Sequence, residues 1–309
     1  MYRVPDQTGR TIVVTGASGG IGKEAATRLA GAGAHVILAV RNPEKGEQAL
    51  ADIRAEHHDA RVEMRLIDTA DLASVRRFAA EIDDNYDHID ALVNNAGVMA
   101  PPKWMVTVDG FEMQMGTNFL GPFALTNLLL PALLRSEAPR VSTMSSVAAW
   151  MGVMRFDDLD SVGHYIPMVA YGQTKLADYY LASHLAETSR RLGWRLISNA
   201  AHPGLSNTNI TRTGRYLGKS MPNKSYMGNV PFLPIQEADR GAEPMLFAVA
   251  DPAAENGGYY GPNGKFELTG IVSPARVTKR MADSDAAARL WAVAEKLTGT
   301  TLPQPAPAS

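Results

Sequence analysis

The chain has 309 residues, with 30 Lys and Arg against 32 Asp and Glu, a formal charge of −2. That near balance excludes a nucleic-acid binder living on phosphate neutralisation and a polybasic membrane clamp. Hydrophobic residues make up 45%, enough for a packed core, and the absence of cysteine excludes disulfides, thiolate nucleophiles and thiolate metal sites.

In chain order, a strand–turn–helix rhythm dominates. Thr11–Val14 reads as a strand, stopping at Thr15-Gly16, and Lys23–Ala32 as a helix. His35–Val40 is the next strand and Glu44–Glu56 an Ala-rich helix. Strand 62–67, helix 72–82 and strand 91–93 follow, the last ending at Asn94-Asn95-Ala96-Gly97. Phe111–Leu134 reads as a long buried helix, with Pro122 marking a kink and Pro131 a near-terminal position. Strand 140–144, helix 170–192, strand 194–200 and helices 238–250 and 282–297 complete the pattern.

Short apolar strands separated by helices predict an α/β fold: a doubly wound parallel sheet of Rossmann type, helices on both faces. Nothing between the units reads as a linker, so residues 1–302 are expected to form one domain. The Gly-, Pro- and Met-rich stretch 206–236 is expected as a substrate lid, and 303–309 as a flexible Pro/Ala tail. The polar N-terminus has no signal pattern, and no stretch reads as a membrane span. A soluble, cytoplasmic protein is the expectation.

Thr15-Gly16-Ala17-Ser18-Gly19-Gly20-Ile21-Gly22 lies between the first strand and first helix. Glycines there permit a tight turn and close backbone approach, and the helix start offers free N–H groups to a pyrophosphate. An ordinary turn would need one or two glycines, not four. An enzyme using NAD normally closes its second strand with Asp or Glu for the ribose hydroxyls. Here the strand ends Val40-Arg41. A guanidinium suits a 2′-phosphate, a contact of about 1.5–3 kcal/mol, so NADP(H) is preferred over NAD(H).

Tyr171 and Lys175 are one helical turn apart. A phenol is a poor base at neutral pH, and a neighbouring ammonium favours its ionised form. Alone, the pair also fits a half-buried tyrosine beside a surface lysine.

Taken together, Thr15–Gly22, Asn94–Gly97, Ser145-Ser146, Tyr171–Lys175 and Pro203-Gly204 with Thr208 resemble the motifs of the short-chain dehydrogenase/reductase family, in the family's order. The Arg41-Asn42-Pro43 turn, the long gap from Ser146 to Tyr171 and Tyr259-Tyr260-Gly261-Pro262 resemble its retinol-dehydrogenase-like branch and bacterial relatives. The resemblance implies hydride transfer between a nicotinamide and a carbonyl or alcohol. In it Tyr171 is general acid/base, Lys175 tunes Tyr171 and holds the nicotinamide ribose, Ser146 polarises the carbonyl, and Asn118 holds a relay water. For the cofactor it implies Gly16, Ser18, Gly19, Gly20, Ile21 and Gly22 at the pyrophosphate. It places Asp68 and Thr69 at the adenine, Asn94, Ala96 and Gly97 on the adenosine side, and Pro203, Gly204 and Thr208 at the nicotinamide. It also implies pairing of subunits, as dimer or tetramer, through the helix carrying Tyr171 and the long one before it, although the branch includes monomers.

Met99, Trp150, Met151 and Met154 follow strand ends, and Met221, Tyr226, Met227, Phe232 and Leu233 lie in the irregular stretch. They fit a pocket and lid for a small lipophilic substrate, or ordinary core. His202 reads as a packed or capping residue, His57-His58 as surface, and Asp157, Asp158 and Asp160 as a solvated loop; no metal site is expected. Two other functions remain open: a dinucleotide sensor without turnover, and an epimerase or dehydratase of the same family.

Overall fold

The computed structural model describes residues 1–207, 210 and 234–303. One eight-stranded sheet runs in the order β3-β2-β1-β4-β5-β6-β7-β8. Its first seven members are parallel: β1 (Thr11–Thr15), β2 (His35–Val40), β3 (Arg61–Leu66), β4 (Ala91–Asn94), β5 (Arg140–Met144), β6 (Ile197–Ala201) and β7 (Tyr259–Pro262). Only β8 (Val272–Pro274) is antiparallel, hydrogen-bonded to β7. The expected doubly wound α/β sheet is present. Its strand order reverses between β1 and β4, where such sheets open a ligand crevice at their carboxyl ends.

The pleat divides the core. On β1, Ile12 and Val14 face one side and Val13 the other, following the period-two alternation of a strand. Helices α1 (Gly20–Gly31), α2 (Pro43–Glu56) and α6 (Ala238–Ala250) cover the first face, with Leu29, Leu50 and Leu246 among the buried side chains. Helices α3 (Leu72–Asn85), α4 (Gly121–Leu134), α5 (Pro167–Leu192) and α7 (Ser284–Thr298) cover the second, through Phe78, Phe123, Leu176 and Trp291. Each such large apolar side chain contributes about 1.5–3 kcal/mol on burial.

Local signals place the helix ends. Asn42 accepts the Lys45 N–H ahead of Pro43, and Asp71 accepts the Ala73 and Ser74 N–H groups. Gly193 and Gly299, at φ 67° and 62°, close α5 and α7 in the left-handed conformation.

The structure refines the expected long helix over 111–134. A π-helical turn, Met115–Leu120, precedes α4, and the Gly121 N–H reaches back five residues to the Gly116 carbonyl. Pro122 follows directly on this π turn, inside one continuous helical stretch from Met113 to Leu134. The combined stretch Met115–Leu134 is long and apolar enough to cross a membrane, an exception to the reading that no stretch is; 83% of it is buried inside the fold. Strand β6 begins at Ile197 because Trp194 turns back to donate to the Ser189 carbonyl and finish α5. The expected lid and tail fall for the most part outside the described residues, as do Thr208, Met221, Tyr226, Met227, Phe232 and Leu233.

Candidate active site

The crevice between β1 and β4 is built from backbone. Thr15 Oγ1 donates to the Val93 carbonyl and accepts the Asn95 and Ala96 N–H groups, and Asn95 Nδ2 donates to the Thr15 carbonyl. These four bonds lock the two strand ends together. A Cβ on Gly16, whose φ is 68°, would lie 3.0 Å from Ala96 Cα, and one on Gly22 would lie 2.5 Å from the Gly16 carbonyl oxygen. Side chains are therefore refused at both positions. Gly19 has open space, and α1 begins there without a side-chain cap or an acidic residue in its first turn. Uncapped N–H groups at a positive helix end, beside a side-chain-free turn, fit a dinucleotide pyrophosphate. Ser18 and Ile21 lie half-buried in this loop, and Gly20 has a φ of 55°.

The other expected contacts ring the same end of the sheet. Arg41 is exposed at the end of β2, with no hydrogen bond or ion pair among the described residues. Asp68 Oδ1 accepts the Ala70 N–H, and buried Thr69 lies under the start of α4, its carbonyl closing on Gly121. Asn94 turns its amide inward, Nδ2 donating to Thr126 Oγ1, so that only its backbone edges the crevice. Ala96 and Gly97 continue along it. Pro203 and Gly204 follow β6. The Gly204 N–H donates to His202 Nδ1, and the Pro203 carbonyl accepts from Ser206 and Gln236.

The chemistry-bearing side chains converge behind the crevice. Tyr171 and Lys175, on one face of α5, are 5% and 3% exposed, which overturns the alternative of a surface lysine. Ser146 faces the Tyr171 phenol and lowers its pKa, and its hydroxyl oxygen accepts the Ala148 N–H at 3.2 Å, capping the short 3₁₀ turn Val147–Trp150. Ser145 is turned away: its hydroxyl donates to the Lys175 carbonyl at 2.7 Å. Lys175 Nζ donates to the Met144 carbonyl at 3.0 Å and to Asp178 Oδ2 at 2.6 Å. Asn118, in the π-helical turn, accepts the Val98 N–H at 2.7 Å and donates to the Val98 carbonyl and to Thr174 Oγ1. The wider π turn brings this side chain across to α5. A Cβ at Gly97 would lie 3.1 Å from Asn118 Oδ1 and 3.9 Å from Lys175 Nζ, so a side chain there would press on Asn118.

Burial pushes the Tyr171 phenol above its usual value, more than neighbouring Lys175 and Ser146 bring it down, and Asp178 adds to the rise. The lysine does act in the expected sense, but the net result is a phenol kept protonated. Burial alone would depress Lys175, yet the charges of Asp178 and Tyr171 hold it above the ordinary lysine range.

Three residues near this centre were not among the expected site residues. Buried Asp178 pairs with Lys175, Tyr259 donates its hydroxyl to the Ser146 carbonyl at 3.4 Å, and Glu267 pairs with His202 at 2.8 Å. Trp150 and Met154 pack against the core, whereas Met151 is exposed. Asp158 and Asp160 accept loop N–H groups, from Val162 and Glu112.

A family profile described as short chain dehydrogenase matches residues 10–215. Retinol dehydrogenase 13 of Homo sapiens is 40% identical over 298 residues, covering 96% of this chain and 86% of the relative. The crystal structure of an uncharacterised protein from Mycobacterium paratuberculosis is 40% identical, with a TM-score of 0.79 and 97% of each chain covered. A short chain dehydrogenase from Shigella flexneri 2a, complexed with NADP, is 26% identical, with a TM-score of 0.63, covering 84% of this chain and 98% of that one.

Proposed function

The chain belongs to the short-chain dehydrogenase family, and we propose that it is an NADP(H)-dependent oxidoreductase for a lipophilic carbonyl or alcohol, with Tyr171 as its acid–base group. The observation that carries this reading is half-buried Ser146 beside buried Tyr171 and Lys175, next to the glycine crevice.

A nicotinamide dinucleotide, when bound, supplies hydride chemistry. The chain's own part is the proton. In the reductive direction Tyr171 gives its O–H proton to the oxygen of the carbonyl being reduced. In the oxidative direction the ionised phenol takes the alcohol proton back. The hydroxyls of Ser146 and Tyr171 together stabilise charge developing on that oxygen. A phenol kept protonated by burial is set for reduction at neutral pH. The glycines Gly16 to Gly22 would hold the pyrophosphate, Lys175 the nicotinamide ribose, and Arg41 a 2′-phosphate. The NADP complex of the Shigella flexneri relative supports that last choice.

Two features support a lipophilic substrate. Met151, Val153, Met168 and Val169, from the segments leading out of Ser146 and into Tyr171, are exposed apolar side chains. The relative named for retinol is named for a long apolar alcohol. The chain is best read as a monomer, against the expected subunit pairing: α7 lies on α5 and α4, with Trp291 edge-on to Phe123 at 4.8 Å, and most of α4 and the middle of α5 are buried within one chain.

A screen of apolar aldehydes, ketones and primary alcohols, followed by NADPH absorbance, tests the proposal. Tyr171→Phe is expected to lose about 10²–10⁴-fold in turnover. Full activity in that variant overturns the acid–base assignment. Nucleotide binding with no turnover on any substrate favours the sensor reading.

A further inference from the structure

An ammonium has three N–H donors. Lys175 commits one to the Met144 carbonyl and one to Asp178, leaving one for a further acceptor. The Asp178 side chain is 1% exposed, its Oδ1 has no hydrogen-bond partner among the described residues, and Lys175 is its ion-pair partner. A carboxylate sealed in the core with half its acceptors unused is costly to keep, and an amide or alcohol there would avoid much of that cost.

Among the described residues the ionisable surroundings are few. On α5 itself stand Tyr171, Lys175, Asp178 and Tyr179; β7 brings Tyr259, and behind it lie His202 and Glu267. The π-helical turn and the end of β5 bring only neutral groups, Asn118, Ser145 and Ser146. Among the described residues, Lys175 is thus the cation beside Tyr171, and Asp178 the anion set against that cation.

We propose that Asp178 is a positioning residue of the proton-transfer machinery: its carboxylate fixes the Lys175 ammonium against the Met144 carbonyl and offsets the cation's pull on the Tyr171 phenol, biasing Tyr171 toward acting as an acid. The inference rests on the acid–base reading of Tyr171. The charge of Asp178 raises Tyr171, as this requires. Burial pushes the Asp178 carboxyl up to about 6 against the pull of Lys175, which still leaves it ionised at neutral pH.

Asp178→Asn keeps the shape and an acceptor oxygen while removing the charge. Two readouts test it: the alkaline limb of the pH profile for carbonyl reduction, and the ultraviolet titration of Tyr171 in cofactor-free protein, isolated by subtracting Tyr171→Phe. Both midpoints are expected to fall by about one pH unit, the low end of what a close charge does. Asp178→Ser, neutral and with room for a water beside the ammonium, carries the same test where the asparagine variant does not fold. Lower turnover at every pH with both midpoints unmoved would make Asp178 merely structural and overturn the proposal. Full turnover in Tyr171→Phe would instead sink the acid–base reading beneath it.

Discussion

His202 Nε2 donates to Glu267 Oε2 at 2.8 Å while its Nδ1 accepts the Gly204 N–H at 3.2 Å. The second bond sets the tautomer that makes the first one possible. Glu267 belongs to a turn in which Phe266 and Glu267 both have φ 53°, a conformation that side chains disfavour. The turn is pinned to the Pro203-Gly204 segment by this pair and by the Leu205 N–H donating to the Leu268 carbonyl.

Glu267→Ala should therefore release the turn. It removes the acceptor for His202 and for the Arg276 N–H, and a loss of about 1–3 kcal/mol is expected in denaturant melts. Nucleotide affinity, read by NADPH fluorescence, should weaken with it, because Gly204 loses its fixed neighbour. A variant that melts and binds like the parent would show that the strained turn is held by other contacts.

Arg41 offers a direct test of cofactor choice. Val40→Asp with Arg41→Ala puts a carboxylate where ribose hydroxyls need one and removes the guanidinium. The ratio of kcat/KM for NADPH over NADH should fall by about one to two decades and reverse. An unchanged ratio would remove Arg41 from the cofactor site.

Trp291 is the keystone of α7 on α4, and its indole also lies 5.0 Å from the His184 ring of α5. Trp291→Ala should cost about 3–5 kcal/mol, as for other buried aromatic truncations. Sedimentation of the parent should give one chain, and the variant, with its apolar helix faces uncovered, should self-associate. A dimeric parent would overturn the monomer reading.

Alkaline conditions should destabilise the fold. Burial pushes Tyr180 up to about 12, with Asp283 adding to the shift. Its folded value lies above the unfolded one, so its contribution is fully present below pH 10 and fades as pH rises through about 12. Melting temperatures between pH 9 and 11.5 should fall less steeply for Tyr180→Phe than for the parent. Parallel curves would assign the alkaline loss to other groups.

Six of the eight strands were legible because β1 to β6 hold short apolar or alternating runs set between helical stretches. β7 and β8 were not. Tyr259–Pro262 contains Gly261 and Pro262, and Val272–Pro274 has three residues, so neither shows an alternation to count. The start of α1 at Gly20, ahead of the expected Lys23, was hidden because glycine is a poor helix former. Tyr171, Lys175 and the glycine turn were readable because each does its work within one turn of backbone. Asp178 did have a signal, a carboxylate one turn past Lys175 in a stretch otherwise fit for the core. Glu267 had none: His202 is 65 residues away, and only the sheet brings the two together.

The C-terminal helix has a practical consequence. Because α7 covers α4 and α5 from within the same chain, no second copy is needed to shield those faces from water. Specific activity should then hold constant as the enzyme is diluted to nanomolar, where an obligate pair would come apart and fade.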